Sequence, residues 1–437
     1  MKASSLMFQI STNNRFLTYA DGSSFFWLGD TAWTALQRLD PAEALEYLDN
    51  RASKGFNIAQ VVGLMEFDGL REPNRKGDLP LLDLNPTRPN PAYWNYVRWF
   101  ADEAFKRGIY LALLPTWGDK WNASWGIGPQ IFDADNAKVF GRWLGERFKD
   151  IPLFWVLGGD RPIQNDEQLA IIRALASGLK AGDDGAHPMT FHPPGGTSSS
   201  KWLHNEPWLD FNMQQSGHTR PEVSTAPLIE ADYALTPTKP VIDGEPRYED
   251  HPIAWNWDYP NQWDASNGYF DALDVRRATY MALFSGACGH TYGANSVFQT
   301  YRQGQDDRFG ARRDWREALD LPGAGQLQHA KNLLESRAFF SRIPAQDILR
   351  GERGEGSDQL RATRDEHGSF ALVYVPSHRS FALDVSTLNG PAHTSWFNPR
   401  SGESHPFGKI QNTGVHSFES PQNGPDWILT LDTQISN

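Results

Sequence analysis

Short apolar runs alternate with amphipathic stretches over about the first 340 residues of the chain. Residues 25–30 predict a buried strand, and a helix is expected to begin at Pro41, with Asp40 as its N-cap. The same order repeats, and further strands are predicted at 57–64, 109–115, 153–160, 188–192, 209–214, 239–245 and 287–293. Eight strands alternating with helices predict an α/β fold, the (β/α)8 or TIM barrel. A doubly wound sheet is the alternative, but no glycine-rich phosphate loop follows the first strand.

The pattern changes near residue 343, where short runs of alternating apolar and polar residues replace the strand–helix order. Glycine, asparagine, aspartate and proline separate these runs, as they do in antiparallel sheets. The strands predicted from them are 360–363, 369–375, 381–385, 394–398 and 427–431. We therefore expect two domains: residues 1–342 form a barrel with a short N-terminal hairpin, and residues 343–437 form an antiparallel β-sandwich.

Two of the predicted strands lead into a carboxylate. One closes on Asp160 after Gly158 and Gly159, and the other leads into Glu245. Barrel active sites are built at the carboxyl ends of the strands, so both side chains are expected at one end of the barrel. Two carboxyl groups beside a glycosidic bond can cleave it, because one protonates the leaving oxygen while the other attacks the sugar or activates water. The sequence therefore predicts a carbohydrate-active enzyme with Asp160 and Glu245 as its catalytic residues.

Each of these acids also has a structural interpretation. Asp160 could cap a helix or pair with Arg161, and Glu245 could form a structural salt bridge with Arg247. Asp243 and Glu249 are further candidates in the second segment, although Asp243 lies deeper in its strand, where packing is its expected role. The sequence leaves these alternatives open.

Polar and aromatic side chains also follow the other predicted strands. Because the strand ends of a barrel converge, we expect these side chains to bind substrate. The candidates are Asp30, Trp33, Trp117, Asp119, Lys120, Trp121, His192, Gln214, Gln215, Tyr248, His290 and Tyr292. The loop from Trp117 to Trp125 either forms the wall of a sugar subsite or packs on itself.

Composition and charge narrow the choice of partner. The net charge of −12 and the pI near 5.5 argue against nucleic acid, which calls for a basic surface. No stretch approaches the ~20 apolar residues needed to cross a membrane. Seventeen tryptophans favour carbohydrate, because aromatic faces pack against the C–H faces of sugars. The expected partner is therefore an oligosaccharide or polysaccharide, without nucleic acid or membrane.

No cofactor or metal is expected. Cys288, the single cysteine, lies among small residues and predicts a buried hydrophobic side chain. No His-Glu-x-x-His motif or calcium loop occurs, and Asp306 and Asp307 would bind calcium by chance only. No Gly-x-Ser-x-Gly elbow occurs, which argues against an esterase. The first ten residues do not form a signal peptide as they stand, and a bacterial cytoplasmic or periplasmic location is expected.

Four segments, taken together and in order, resemble a known family. They are residues 26–33, 54–57, 155–160 and 244–249. They are similar to the apiosidase-like glycoside hydrolases of family 140. Residues 396–402 resemble a turn in the C-terminal domain of that family, which has been described as collagen-binding. The resemblance extends over most of the chain.

The resemblance implies a (β/α)8 barrel joined to a β-sandwich. It also implies that Asp160 is the catalytic acid/base and Glu245 the nucleophile of a retaining reaction. Family members release apiose, a branched furanose, from the side chains of a pectic polysaccharide. For this chain we expect cleavage of a terminal furanosidic residue, such as apiose or arabinofuranose, from a plant or microbial glycan.

Two other functions stay open. A barrel that has lost catalysis would bind sugar through its tryptophans, although a pure binder gains little from two carboxylates near one bond. A protein that binds collagen or another matrix would act through the segment beyond residue 343. That segment contains nothing that we can link to a triple helix, so a domain that braces the barrel is the preferred interpretation.

Overall fold

The computed structural model describes residues 8–218, 220–253, 265–305 and 309–433. The strands of its first unit are β1 Phe8–Ile10, β2 Leu17–Tyr19, β3 Ser24–Phe25, β4 Trp27–Thr31, β5 Ile58–Leu64, β6 Tyr110–Thr116, β7 Leu153–Gly158, β8 Met189–His192, β9 Thr197–Ser198, β10 Asn212–Gln215, β11 Val241–Asp243 and β12 Gly289–Tyr292. The α-helices are α1 Ala35–Arg38, α2 Pro41–Ser53, α3 Pro91–Lys106, α4 Ala134–Phe148, α5 Asp166–Gly182, α6 Ser200–Leu203, α7 Ala226–Tyr233, α8 Ala272–Phe284, α9 Asn295–Phe298, α10 Trp315–Ala318 and α11 Pro322–Glu335. The strands of the second unit are β13 Arg342–Pro344, β14 Leu349–Arg350, β15 Arg361–Asp365, β16 Phe370–Val375, β17 Ser380–Asp384, β18 Ala392–Phe397, β19 Ser404–Ile410, β20 Val415–Glu419 and β21 Trp427–Asp432.

Side-chain caps fix where several helices begin. The carboxylate of Asp40 accepts a hydrogen bond from the backbone N–H of Glu43, and the Glu43 side chain accepts one from the backbone N–H of Asp40. This capping box satisfies two N–H groups, and Pro41 takes the first helical position, where no N–H is needed. Asp133 and Asp271 make the same reciprocal contact ahead of α4 and α8. The predicted start of α2 is confirmed.

Eight parallel strands form the barrel sheet, in the order β8-β7-β6-β5-β4-β12-β11-β10, and β9 pairs with β10 in the antiparallel sense. The seam between β8 and β10 is closed by Asp210. Its backbone N–H donates to the carbonyl of Met189 at 2.8 Å, and its carboxylate accepts from the Met189 N–H at 2.8 Å. A helix follows each barrel strand before the next begins. The predicted TIM barrel is confirmed.

Aromatic side chains close the amino-terminal end of the barrel. The ring of Phe8, from the N-terminal hairpin, lies 4.4 Å from that of Phe154 and 4.8 Å from that of Tyr110, measured between centroids. Trp27 at the start of β4 packs on the same Phe154 ring at 5.1 Å. Because this end is filled by hydrophobic rings, the opposite end, where the strands finish, is left for a site.

The second unit is a sandwich of a six-stranded sheet, β13-β15-β16-β21-β18-β19, and a three-stranded sheet, β14-β17-β20. The side chains of strand β16 alternate between the two faces of the larger sheet. Ala371 and Val373 pack between the two sheets. The alternate residues Phe370, Leu372 and Tyr374 join the hydrophobic cluster of the barrel. At β16 the larger sheet is therefore buried on both faces, one against its own partner sheet and one against the barrel.

Buried charges join the two units. The guanidinium of Arg276 in α8 donates two hydrogen bonds of 2.9 Å to Asp426. Asp426 also accepts from Arg400 at 3.0 Å and from the hydroxyl of Tyr374 at 3.1 Å. Tyr280 stacks on Tyr374, with the ring centroids 4.9 Å apart. The barrel and the sandwich thus share both a hydrophobic contact and a paired buried charge.

Within the described ranges, no helix combines the length and the apolar character that crossing a bilayer requires.

Candidate active site

A cleft of about 500 Å³ opens where the barrel strands end. Ligand pockets in proteins typically measure ~300–1,000 Å³, so this cleft is large enough to enclose a small molecule. It is lined by Trp33, Glu66, Trp117, Trp125, Asp160, Pro194, Gly195, Gln215, Gly217, His218, Glu245, Tyr248, His251, Phe298 and Phe309. Both strand-end acids are in this set.

A sharp turn after β7 projects Asp160 into the cleft. Gly158 and Gly159 have φ angles of +95° and +93°, and Asp160 itself has a φ of +59°. A Cβ atom on Gly159 would lie 2.7 Å from the backbone nitrogen of Gly118, closer than packing allows. Two glycines are therefore required here, and the aspartate is of a type that tolerates the left-handed region.

Three groups contact Asp160. Its Oδ2 accepts a hydrogen bond from the indole N–H of Trp125 at 3.2 Å and another from the Arg161 guanidinium at 3.0 Å. Its backbone N–H donates to Nδ1 of His192 at 3.3 Å. Burial and then the negative charge of Glu245 raise the pKa of Asp160, although Arg161 opposes them. A carboxyl group with a raised pKa keeps its proton to higher pH and can act as an acid.

Two histidines hold Glu245 from either side. Nε2 of His192 lies 2.8 Å from Oε2 of Glu245, and Nε2 of His218 lies 3.0 Å from Oε1. Burial would raise the pKa of this carboxyl, but the contacts with His192 and His218 outweigh it, and the pKa is lowered. Glu245 is therefore held as a carboxylate inside the cleft.

His192 connects the two acids. Because its Nδ1 accepts from the backbone N–H of Asp160, its ring proton is assigned to Nε2, which faces Glu245. The side chain is fully buried, and Trp33 and Trp117 pack against it with ring centroids 5.3 and 5.8 Å away. The relative position of the two carboxyl groups is thus fixed through a packed imidazole ring.

Aromatic rings form the walls around these acids. Trp33 donates its indole N–H to the hydroxyl of Tyr248 at 3.1 Å, which fixes both rings. Trp125 stands at the rim with 44% of its surface exposed, and the Arg161 guanidinium lies 4.1 Å from its ring centroid. Flat apolar faces beside a proton donor and a carboxylate suit a sugar, whose C–H faces stack on rings while its oxygens meet the polar groups.

Residues 11–341 match a family model described as "Apiosidase-like, catalytic domain". The chain belongs to the apiosidase-like family. Residues 343–432 of this apiosidase-like protein match a second model, described as "Putative collagen-binding domain of a collagenase".

Two solved structures are similar to this apiosidase-like protein over nearly its whole length. One, described as a glycoside hydrolase, is 32% identical, covers 98% of this chain and 97% of its own, and has a TM-score of 0.87. The other, described as a glycoside hydrolase family 5 protein from Bacteroides vulgatus ATCC 8482, is 32% identical, covers 99% and 94%, and has a TM-score of 0.88. No curated protein sequence matches the chain. The protein is a glycoside hydrolase, and the family number 140 stays a prediction.

Five of the substrate-binding candidates of this apiosidase-like protein lie at the cleft. Trp33, Trp117, Gln215 and Tyr248 line it, and His192 contacts Glu245, which also lines it. Their roles in binding stay predictions.

Four other candidates face away from the cleft. Asp30 is fully buried and accepts hydrogen bonds from Tyr47 at 2.7 Å and Arg51 at 2.9 Å, both on α2. Gln214 donates to the carbonyl of Leu228 in α7. Asp243 pairs in register with Gln214, and His290 pairs with Asp243, so all three side chains point outward. Tyr292 pairs in register with Asp30 and shares its outward direction. These four side chains lie between barrel and helices.

The remaining three candidates lie in the loop that follows β6 and support it. Nζ of Lys120 lies 2.7 Å from the Asp119 carboxylate, and both side chains are fully buried. Asp119 also accepts from the backbone N–H of Gly128 at 2.8 Å. Trp121 donates its indole N–H to the carbonyl of Gly158 at 2.9 Å and so supports the turn that carries Asp160.

Asp243 and Glu249, the further catalytic candidates of the second segment, have structural partners. Asp243 accepts a hydrogen bond from the hydroxyl of Ser216 at 2.7 Å. Glu249 accepts from the hydroxyl of Tyr292 at 2.7 Å and from the backbone N–H of Gly323. Neither lines the cleft.

Sequence reasoning missed Glu66 as a cleft residue. It follows β5 by two positions, so the rule that singled out Asp160 and Glu245, an acid after a barrel strand, would have found it. Among the described residues, no group of three or more His, Cys, Asp or Glu side chains is placed to hold a metal. Asp306 and Asp307 lie outside the described residues.

Proposed function

We propose that this protein releases a terminal furanosidic residue, such as apiose or arabinofuranose, from a plant or microbial glycan by a retaining mechanism. The observation that carries the proposal is that the pKa values of two carboxyl groups in one cleft are shifted in opposite directions. Asp160 has a raised pKa, whereas the two histidines keep the pKa of Glu245 low. Such a difference separates a proton donor from a group that acts as an anion.

In the first step, Asp160 gives its proton to the glycosidic oxygen while a Glu245 oxygen attacks the anomeric carbon. The carbon–oxygen bond breaks with its electron pair going to the leaving oxygen, and a glycosyl ester on Glu245 forms. In the second step, the Asp160 carboxylate takes a proton from water as that water attacks the anomeric carbon. The ester bond breaks, Glu245 leaves as a carboxylate, and Asp160 is protonated again.

The lowered pKa favours Glu245 as nucleophile over Glu245 as general base. A general base works best when its pKa lies near the pH of the reaction, and a carboxylate of low pKa takes protons poorly. The same low pKa keeps the group fully ionised for attack and makes it a good leaving group in the second step. This supports retention of configuration rather than inversion.

The first test is hydrolysis of aryl apiosides, both anomers of aryl arabinofuranosides and a set of aryl pyranosides. We expect wild type to turn over a furanoside and Glu245→Gln and Asp160→Asn to lose that activity. Glu46→Gln is the matched control, because it changes a Glu–Arg pair on the outside of α2, 2.9 Å from Arg316. Proton NMR of the first-formed sugar should show the anomeric configuration of the substrate. Inverted product, or turnover of pyranosides alone, would contradict the proposal.

We also propose that the C-terminal domain, residues 343–437, braces the barrel. The match to a collagen-binding model is the observation in favour of a second function. Against it, one face of the six-stranded sheet is occupied by the barrel, through Tyr374 and its neighbours. We expect the intact protein not to co-sediment with collagen fibrils, and saturable co-sedimentation would favour the matrix-binding function.

A further inference from the structure

Glu66 is a third carboxyl group in the cleft, and the proposed mechanism does not use it. Its side chain is 22% exposed and lines the same cavity as Asp160. Nothing in the two-carboxylate reaction calls for a further acid at this place. Its contacts indicate what it does.

Arg161 is the contact that Glu66 and Asp160 share. Its side chain is fully buried. One terminal nitrogen donates to Oδ2 of Asp160 at 3.0 Å and to the Asp160 carbonyl at 2.8 Å. The other donates to Oε1 of Glu66 at 3.3 Å and to the carbonyl of Trp125 at 2.9 Å, and Nε donates to that carbonyl at 3.2 Å.

These contacts use all five N–H donors of the guanidinium. The group cannot rotate or shift toward Asp160 without breaking a hydrogen bond inside the protein. Because Arg161 carries one positive charge and contacts two carboxyl groups, it can neutralise only one of them. Glu66 and Asp160 therefore compete for a single cation held at a fixed position.

The other charges around the pair do not relieve this competition. The Lys120 ammonium lies 2.7 Å from Asp119, and it reaches only the backbone carbonyl of Glu66, at 3.3 Å. Burial raises the pKa of Glu66 to about 7, and the charges of Asp160 and Asp119 add to the effect while Arg161 opposes it. From the opposite side, His192 and the Glu245 carboxylate act on Asp160.

We propose that Glu66 is a positioning residue that shares Arg161 with Asp160 and, where Glu66 is itself ionised, holds the proton on Asp160 to higher pH. The inference rests on the proposed role of Asp160 as the general acid. Because the pKa of Glu66 is about 7, its negative charge competes for Arg161 mainly above that pH. If Glu66 cannot carry this charge, the whole charge of Arg161 acts on Asp160 in that range, and Asp160 loses its proton at lower pH. The alkaline limb of the pH profile, where the acid is lost, then moves to lower pH.

The variant that tests this is Glu66→Gln. Its amide oxygen still accepts from Arg161, so the hydrogen bond is kept and only the charge is removed. With a phenyl glycoside of the sugar that wild type accepts, we expect the alkaline limb of kcat/KM above about pH 7, where Glu66 is ionised in wild type, to move down by about one pH unit, as removal of a nearby like charge does. Two coupled carboxyls broaden the limb in wild type, and the variant should show a single titration.

A comparison of two leaving groups distinguishes the proposed role of Glu66 from a purely structural role. A 2,4-dinitrophenyl glycoside needs no proton on its leaving oxygen, so its alkaline limb should be the same in Glu66→Gln and wild type. Glu66→Asp keeps the charge and should return the limb for the phenyl glycoside toward its wild-type position. Glu46→Gln, the same exchange at an outer Glu–Arg pair, should leave both profiles unchanged.

Three results would overturn the proposal. The first is an alkaline limb that stays at its wild-type pH when a folded Glu66→Gln variant is assayed with the phenyl glycoside. The second is an equal loss for both substrates at every pH, which would make Glu66 a structural residue. In both cases an inactive Asp160→Asn variant would leave the proposed function standing. The third is full activity of Asp160→Asn on the phenyl glycoside, which would remove the acid assignment and this inference together.

Discussion

Replacing His218 by phenylalanine should raise the pKa of Glu245. In the wild type, Nε2 of His218 lies 3.0 Å from one carboxylate oxygen, and His192 contacts the other. A phenyl ring can keep the packing of the imidazole against Tyr248 and His251, whose ring centroids lie 4.3 and 4.7 Å away. The group removed is therefore the one that contacts the carboxylate.

The size of the effect follows from the value of one hydrogen bond. A hydrogen bond to a charged group contributes about 1.5–3 kcal/mol, and one pKa unit corresponds to about 1.4 kcal/mol, so the pKa of Glu245 should rise by about 1–2 units. In the proposed mechanism Glu245 attacks as a carboxylate, so activity is present above its pKa and is lost as the pH falls through it. A raised pKa moves this loss to higher pH, and the acidic limb should move up by the same amount.

The assay is kcat/KM against pH on the aryl glycoside that wild type accepts. His218→Gln retains a donor and should give a smaller displacement than His218→Phe. His416→Phe, a histidine of β20 in the sandwich, serves as the matched control. An acidic limb that stays in place in a folded His218→Phe variant, or that moves to lower pH, would refute the reasoning about Glu245.

Two further predictions concern buried charges outside the cleft. Arg276→Met removes two of the hydrogen bonds to buried Asp426 and should lower the free energy of unfolding in urea by about 3–5 kcal/mol, whereas a loss below about 1 kcal/mol would contradict the bracing role. Asp30→Ala leaves buried Arg51 without its carboxylate and should lower that free energy by a similar ~3–5 kcal/mol. KM of the folded Asp30→Ala protein should be unchanged, and a raised KM would show that Asp30 reaches the substrate.

The strand–helix order could be predicted because the barrel strands are buried on both faces, and the longer ones, β5, β6 and β7, read as largely apolar runs. Residues 153–158 contain no polar side chain, and the run stops at the turn that carries Asp160. The catalytic candidates could be located for the same reason, since a carboxylate directly after such a run has few structural uses. Both lie at the cleft.

The sequence could not predict which side chains of the short barrel strands point into the cleft and which point toward the helices. β10, β11 and β12 contain only three or four residues each, too few for alternation to separate a cleft-facing side from a helix-facing side. Gln214 and Gln215 illustrate this, because one contacts α7 and the next lines the cleft. Direction depends on the register between strands, which the sequence pattern does not contain.

The sequence pattern also failed to predict the exposed strand β19. β19 is solvent-exposed along nearly its whole length and contains Pro406 and Gly408, so it has neither alternation nor strand-forming composition. It is held at the sheet edge by its ladder with β18. Such a strand is specified by its neighbour more than by its own residues.

The most direct test of the central claim is chemical rescue of two truncated acids with azide. Glu245→Ala should be inactive, and azide should restore cleavage of an activated aryl glycoside, giving a glycosyl azide of inverted configuration because azide replaces the nucleophile. Asp160→Ala with azide should give a glycosyl azide of retained configuration, because azide then attacks the ester on Glu245. Wild-type activity in Glu245→Ala without azide, or a retained product from its rescue, would contradict the assignment of Glu245 as nucleophile and Asp160 as acid.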